Sequence, residues 1–139
     1  MKRLFLFFLL SGCSSISNSS QLSIFDTKIL LNESCQIEVI KKSKKTLYPV
    51  PFKNPKTCRV ISHEHTDVPN IKYVNGMYVL LVENNMEKGN DCHSEYTAVG
   101  VNNNGDLFTT ARVKRSSSCY QGKEAKSFEY FSSFLKPLP

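Results

Sequence analysis

The chain has 139 residues, 40% of them hydrophobic and 22% charged, with a net charge of +6 and five cysteines. That is enough apolar side chain for one small folded domain and too much for a disordered polyelectrolyte. The odd cysteine count leaves one thiol outside any set of intrachain disulfides. In chain order the first feature is a leader. Lys2 and Arg3 precede seven uninterrupted apolar residues, 4–10, and then the small Ser11 and Gly12. A charged start, a short greasy run and small residues make up a secretory signal peptide. Seven helical residues rise only about 10 Å against a hydrocarbon core of about 30 Å, which excludes a membrane span.

The stretch Leu10-Ser11-Gly12-Cys13 resembles the lipobox of bacterial lipoproteins. The resemblance implies cleavage before Cys13, a thioether-linked diacylglycerol and an N-acyl chain on that residue, and no other cofactor. Each buried acyl methylene contributes about 0.8 kcal/mol, so two or three chains anchor stably. Ser14 is not the aspartate that retains such lipoproteins at the inner membrane, which implies the outer membrane, with the protein facing the periplasm. Removing 12 of the 139 residues leaves 127, and with Lys2 and Arg3 gone the charge falls from +6 to +4. An exported, mildly basic domain meets anionic lipid, lipopolysaccharide or acidic proteins rather than nucleic acid.

With Cys13 acylated, Cys35, Cys58, Cys92 and Cys119 remain, an even set in an oxidising compartment and therefore two expected disulfides. Three pairings are open at this point. A zinc site fits poorly because no C-x2-C pair occurs.

Residues 14–23 are Ser-rich and uncharged and read as part of a tether, so the expected organisation is a signal peptide over 1–12, a lipidated N-terminus and tether over 13–23, and one domain over 24–139. The stretch CQIEVIKK alternates with Ile37 and Val39 on one face, as a half-buried strand does. Lys41, Lys42, Lys44 and Lys45 follow as a polybasic run, either a solvated hairpin tip or a contact for anionic headgroups or an acidic partner. TLYPVPFKNP reads as a loop or an edge because of Pro51 and Pro55, and TCRVIS as a short strand. His63 and His65 would share a face on a strand, with His93 as a third candidate metal ligand, but SHEHTD lies beside a turn and a solvated loop is the expectation. IKYVNGMYVLLVEN is the most apolar stretch of the mature chain. Its Asn75-Gly76 is either a type I′ turn or an interruption in one long strand.

SEYTAVGVNNNGDLFTTARVKR is the clearest hairpin signal, with Asn104-Gly105 suited to positive φ. Pairing about that dipeptide sets Val101 opposite Phe108, Val99 opposite Thr110 and Glu95 opposite Lys114. It also brings position 92 beside 117, which favours Cys92–Cys119 and, with it, Cys35–Cys58. The C-terminal GKEAKSFEYFSSFLKP has helical period, with Ala125, Phe128, Phe131 and Leu135 on one face, Glu124 and Lys136 suiting the dipole, and Pro137 as the stop. Tyr130 and Phe134 fall toward the other side and join the lysines as candidate partner contacts. Strands followed by one helix predict an α+β domain, a small antiparallel sheet with the helix packed on it.

No G-x-S-x-G, H-E-x-x-H or phosphate-cradling glycine loop occurs, and Cys92 and His93 would point to opposite strand faces. No catalysis is expected. The expected function is a lipid-anchored, non-catalytic binding module, such as an immunity protein for a delivered toxin or an inhibitor of a cell-wall hydrolase. The competing expectation is a structural or accessory outer-membrane lipoprotein, including phage-derived surface exclusion, that binds anionic envelope components.

Overall fold

The computed structural model describes residues 21–119 and 125–138. Two antiparallel sheets and a helix stack in three layers. The first sheet is a four-stranded meander, β1 (Gln21–Ile24), β2 (Thr27–Leu31), β3 (Gln36–Lys41) and β4 (Lys44–Pro49), in that spatial order. Its register places Ile24, Ile29, Leu31, Ile37 and Val39 on one face, and all five are buried. The alternation read around Ile37 is this face.

The second sheet is built on a long hairpin of two twelve-residue strands, β7 (Met77–Lys88) and β8 (Asp91–Asn102). β5 (Thr57–Val60) and β6 (Ile71–Val74) pair with β7, while β9 (Leu107–Thr109) and β10 (Lys114–Ser116) pair with β8, and β11 (Lys136–Pro137) extends the sheet beyond β9. Both faces of this sheet are covered. Leu80, Val82, Val99 and Val101 meet the four-stranded sheet, and Val79, Leu81, Tyr96 and Ala98 meet α1 (Ala125–Ser132) through Phe128 and Phe131. A strand buried on both faces reads as a continuous apolar run, which is why Val79-Leu80-Leu81-Val82 shows no alternation.

Disulfides join Cys35 to Cys58 and Cys92 to Cys119. The first ties the β2–β3 turn to β5 and so staples one sheet to the other. The second closes the far end of the β7–β8 hairpin against the chain leaving β10. Among the described residues no helix is long and apolar enough to cross a membrane.

Several expectations need correction. The protein is mostly antiparallel β with one short helix, so α+β describes it only loosely. The first strand starts at Gln21, so residues 21–23 belong to the folded domain and not to a tether. Within the described residues the helix ends at Ser132 rather than running on to position 137. Ser132 and Ser133 hydroxyls donate to the Glu129 carbonyl, at 2.8 and 3.3 Å, and draw it away from the helix ladder as the chain turns into β11. Ala125 is exposed, Lys136 lies in β11, and Glu124 is outside the described residues. Leu135 is buried, though beyond the helix; its Cδ1 occupies space that a Cβ at Gly100 would need.

The β8–β9 register is one residue away from that expected, with Val101 opposite Leu107 and Val99 opposite Thr109. The connection is a three-residue loop rather than a two-residue turn. Gly105 N–H donates to Asn102 O at 3.0 Å, Asn102 N–H donates to Asp106 O at 3.1 Å, and Gly105 takes φ +77°. Past Thr109 two further residues are accommodated before β10, so Glu95 faces Arg115 rather than Lys114, and position 116 faces 94.

Candidate binding surface at the hairpin tips

Four connections gather at one end of the molecule: β1–β2, β3–β4, β6–β7 and β8–β9. Side chains tie them together. The Thr27 hydroxyl donates to Gly105 O at 3.0 Å, and Lys41 Nζ donates to Asn104 O and to Asp106 Oδ1, both at 3.2 Å. Asn103 Nδ2 reaches the Tyr73 hydroxyl at 3.4 Å. Asn75 Nδ2 donates to the Ser132 hydroxyl at 2.8 Å, which couples the same end to the helix.

All four turns hold a residue in the left-handed region, Gly105 being the one at β8–β9. At Asn75-Gly76 both φ values are positive, 50° and 78°, and the turn is the two-residue hairpin that this dipeptide favours. At β3–β4 the same geometry is made by Lys42 and Ser43, φ 49° and 64°. At β1–β2 it is Phe25, φ 52°, which stands where a hairpin ordinarily uses glycine or asparagine. A side chain in this region costs roughly 1–2 kcal/mol. The strained turn holds an aromatic ring outward.

Phe25 is 58% exposed and Tyr73 55%, far more than a core aromatic. Tyr78 packs beneath both, its ring centroid 5.9 Å from Phe25 edge-on and 4.9 Å from Tyr73. Tyr73 and Tyr78 face each other across the Asn75-Gly76 hairpin. Strained backbone concentrates at functional positions, and exposed aromatics with a rigid support are typical interface anchors.

Beside this cluster the seam between the sheets opens into a cleft of about 710 Å³. The β4 edge of one sheet forms one wall and the β9–β11 edge of the other forms the opposite wall. Lys41, Lys42 and Lys44 line its mouth, with Phe108 and Leu138 among its apolar residues. Lys41 is engaged by Asp106, and Lys45 points to the other side of the sheet, where it pairs with Glu38 at 3.1 Å. Lys42 and Lys44 have no carboxylate partner among the described residues. The Lys41 ammonium, by hydrogen bond and charge, and the Asn102 amide hold the Asp106 carboxyl below the usual carboxylate range.

The four lysines therefore form a hairpin tip, two of them internally paired and two directed at a cleft. Tyr130 and Phe134 are not part of this surface. They lie on the helix side of the seven-stranded sheet, their ring centroids 5.1 Å apart and their planes tilted by 55°, with Lys114 Nζ 3.8 Å above Tyr130 and Arg112 Cζ 4.2 Å above Phe134. The expected single patch of lysines and helix aromatics is thus two separate regions.

The three histidines are not brought together either, although His63 and His65 border one cleft with Asp67. His65 has φ 58° and the 62–69 segment is a closed loop, with His63 N–H donating to Val68 O at 2.9 Å, so the strand geometry that would align His63 with His65 is absent. Both are exposed, and His93 borders a different cleft beside Arg115. Among the described residues no group of three His, Cys, Asp or Glu side chains is placed to hold a metal ion. Cys92 is disulfide-bonded and has no nucleophilic thiol. Cys13 lies outside the described residues.

Two features escaped the sequence reading. The Tyr73–Tyr78 pair was implicit in a two-residue hairpin at Asn75-Gly76. Phe25-Asp26 carries no turn signal, because phenylalanine disfavours the conformation it adopts. No family model, curated protein or solved structure matches the chain.

Proposed function

We propose that the protein is a small lipid-anchored envelope protein that acts as a non-catalytic binding module, with Cys13 as its acylated first residue at the outer membrane. The partner is an envelope protein or a delivered toxin, and the action is to occupy or block it, as an immunity protein or hydrolase inhibitor does. The observation that carries this reading is the exposed aromatic pair, Phe25 on a strained turn and Tyr73 on the strand that enters a tight one, beside a lysine-lined cleft. The direction of β1 adds support. Gln21 is at the opposite end of that strand from the Phe25 turn, so a tether joined there leaves the hairpin tips directed away from its point of attachment.

The accessory-lipoprotein reading draws on Lys42 and Lys44, which suit any anionic envelope component. Affinity capture from periplasmic extract separates the two, using the membrane-extracted protein and its Phe25→Ser/Tyr73→Ser variant. The binding-module reading expects one stoichiometric protein with the native chain and its loss with the variant. Equal recovery by both, or recovery of nothing at low salt, overturns it. Intact mass of the same material tests the anchor. Acyl mass on a chain beginning at Cys13 is expected, and any other first residue refutes it.

A further inference from the structure

We infer that the cleft receives an extended, acidic segment of the partner protein, which adds as a fifth strand to the free edge of β4. This deepens the binding-module reading and rests on it. Three observations carry it. First, β4 has hydrogen-bonding capacity left over. Lys41 and Lys44 flank a two-residue turn and form the hydrogen-bonded pair that closes it, so Thr46 and Tyr48 also direct their backbone groups toward β3. Lys45 and Leu47 then direct their N–H and C=O groups outward, and β4 has no second strand neighbour among the described residues.

Second, the opposite wall does not offer the same. Its outer strand is β11, only Lys136 and Pro137, and proline has no N–H. The ladder would therefore form on β4, with the β9–β11 side serving as a floor. Inward side chains of an added strand would lie next to Lys44, Thr46 and Tyr48 and over Phe108 and Leu138. Third, charge selects the occupant. Lys42 and Lys44 stand at the mouth of the cleft without carboxylate partners among the described residues. Lysines on an open edge discourage pairing with another copy of the same edge, while an acidic strand turns that repulsion into attraction. Strand addition takes affinity from main-chain bonds and specificity from alternate side chains, which matches a wall that is lysine at one end and aromatic at the other.

The test uses the full chain and a capped octapeptide, Glu-Glu-Val-Thr-Val-Thr-Glu-Glu. Amide hydrogen exchange should slow by about tenfold or more at Lys45 and Leu47 when the peptide is bound. Lys42→Glu/Lys44→Glu should weaken binding about tenfold, and a peptide with lysine in place of each glutamate should not bind. The deciding measurement is backbone N-methylation, on both valines in one peptide and on both threonines in another. Successive strand residues point their N–H groups to opposite sides, so one peptide must lose binding and the other must keep it.

Equal behaviour of the two methylated peptides refutes strand addition, as does absence of binding by the parent peptide. Phosphatidylglycerol vesicles that bind in a Lys42- and Lys44-dependent manner while the peptide does not would assign the cleft to a membrane surface instead. If the peptide fails while Phe25→Ser/Tyr73→Ser still abolishes capture of a periplasmic partner, strand addition alone falls and the binding-module reading stands.

Discussion

The two halves of the central β7–β8 hairpin are both buried, but by different means. Toward the tips, Val79, Leu80, Leu81 and Val82 pack between the first sheet and the helix. Away from them, the next three residues are Glu83, Asn84 and Asn85, all nearly inaccessible, and opposite them lie Tyr96, Glu95 and Ser94, with Thr97 next in line opposite Val82. The apolar half is held by packing that many side chains share. The polar half depends on particular partners: Arg59 Nε pairs with Glu83, Asn84 accepts from the backbone N–H groups of Lys56 and Thr57 and donates to Glu95, and Thr97 donates to Arg112 O. It also lies between the two disulfides. A buried polar group is costly unless paired, so damage in this half should propagate through single contacts and damage in the other through volume.

Truncation of the helix layer should have the largest effect. Phe128→Ala removes a fully buried ring, and a loss of about 3–5 kcal/mol is expected in denaturant unfolding. Deleting either disulfide should follow. Loops of 23 and 27 residues give nearly the same unfolded-state restriction, about 3.5 kcal/mol each. Cys35→Ser/Cys58→Ser and Cys92→Ser/Cys119→Ser should therefore lower stability equally. A clearly larger loss for the first pair would show that stapling one sheet to the other matters beyond chain entropy.

Arg59→Ala leaves Glu83 buried without its cation, and about 3 kcal/mol should be lost, whereas Arg59→Met with Glu83→Leu should recover most of it. Failure of that double variant to recover would mean that the polar half is not interchangeable with an apolar one. At the tips, Gly105→Ala places a Cβ 2.7 Å from the Thr27 hydroxyl oxygen at a φ of +77°, and about 1–2 kcal/mol of destabilisation is expected.

The smallest effect concerns Asp106. Because its carboxyl is held below its ordinary value in the folded chain, the contact with Lys41 contributes above the unfolded-state value and is lost as pH falls through the folded one. Asp106→Asn should therefore differ slightly from the native chain near neutral pH and coincide with it in strong acid, as measured by denaturation at each pH. The contact is open to solvent on part of its surface, so added salt should reduce the difference.

Much of the strand content was legible because it depends on short-range pattern. Ile37 and Val39 alternate as one face of β3, and Asn75-Gly76 accepts the positive φ values that a tight hairpin needs. The β8–β9 register was not legible to the residue, since Asn102-Asn103-Asn104-Gly105 suits both a two-residue turn and a three-residue loop. The backbone bond from Asn102 N–H to Asp106 O selects the second. The candidate surface was half legible. The lysine run stood out, but its meaning changed once Lys41 and Lys45 found carboxylates on a loop 65 residues away and on a neighbouring strand.

The sequence by itself determined where apolar side chains alternate, where the chain turns, and that four cysteines remain to be paired once Cys13 is set aside. Those properties depend on a residue and its close neighbours. The tertiary structure alone decided that Phe25, Tyr73 and two lysines meet at one end, that Tyr130 and Phe134 lie on the other side of a sheet, and that Glu83 is buried against Arg59. Each of these depends on which strands stack and in what register, and that choice is made by contacts between residues far apart in the chain.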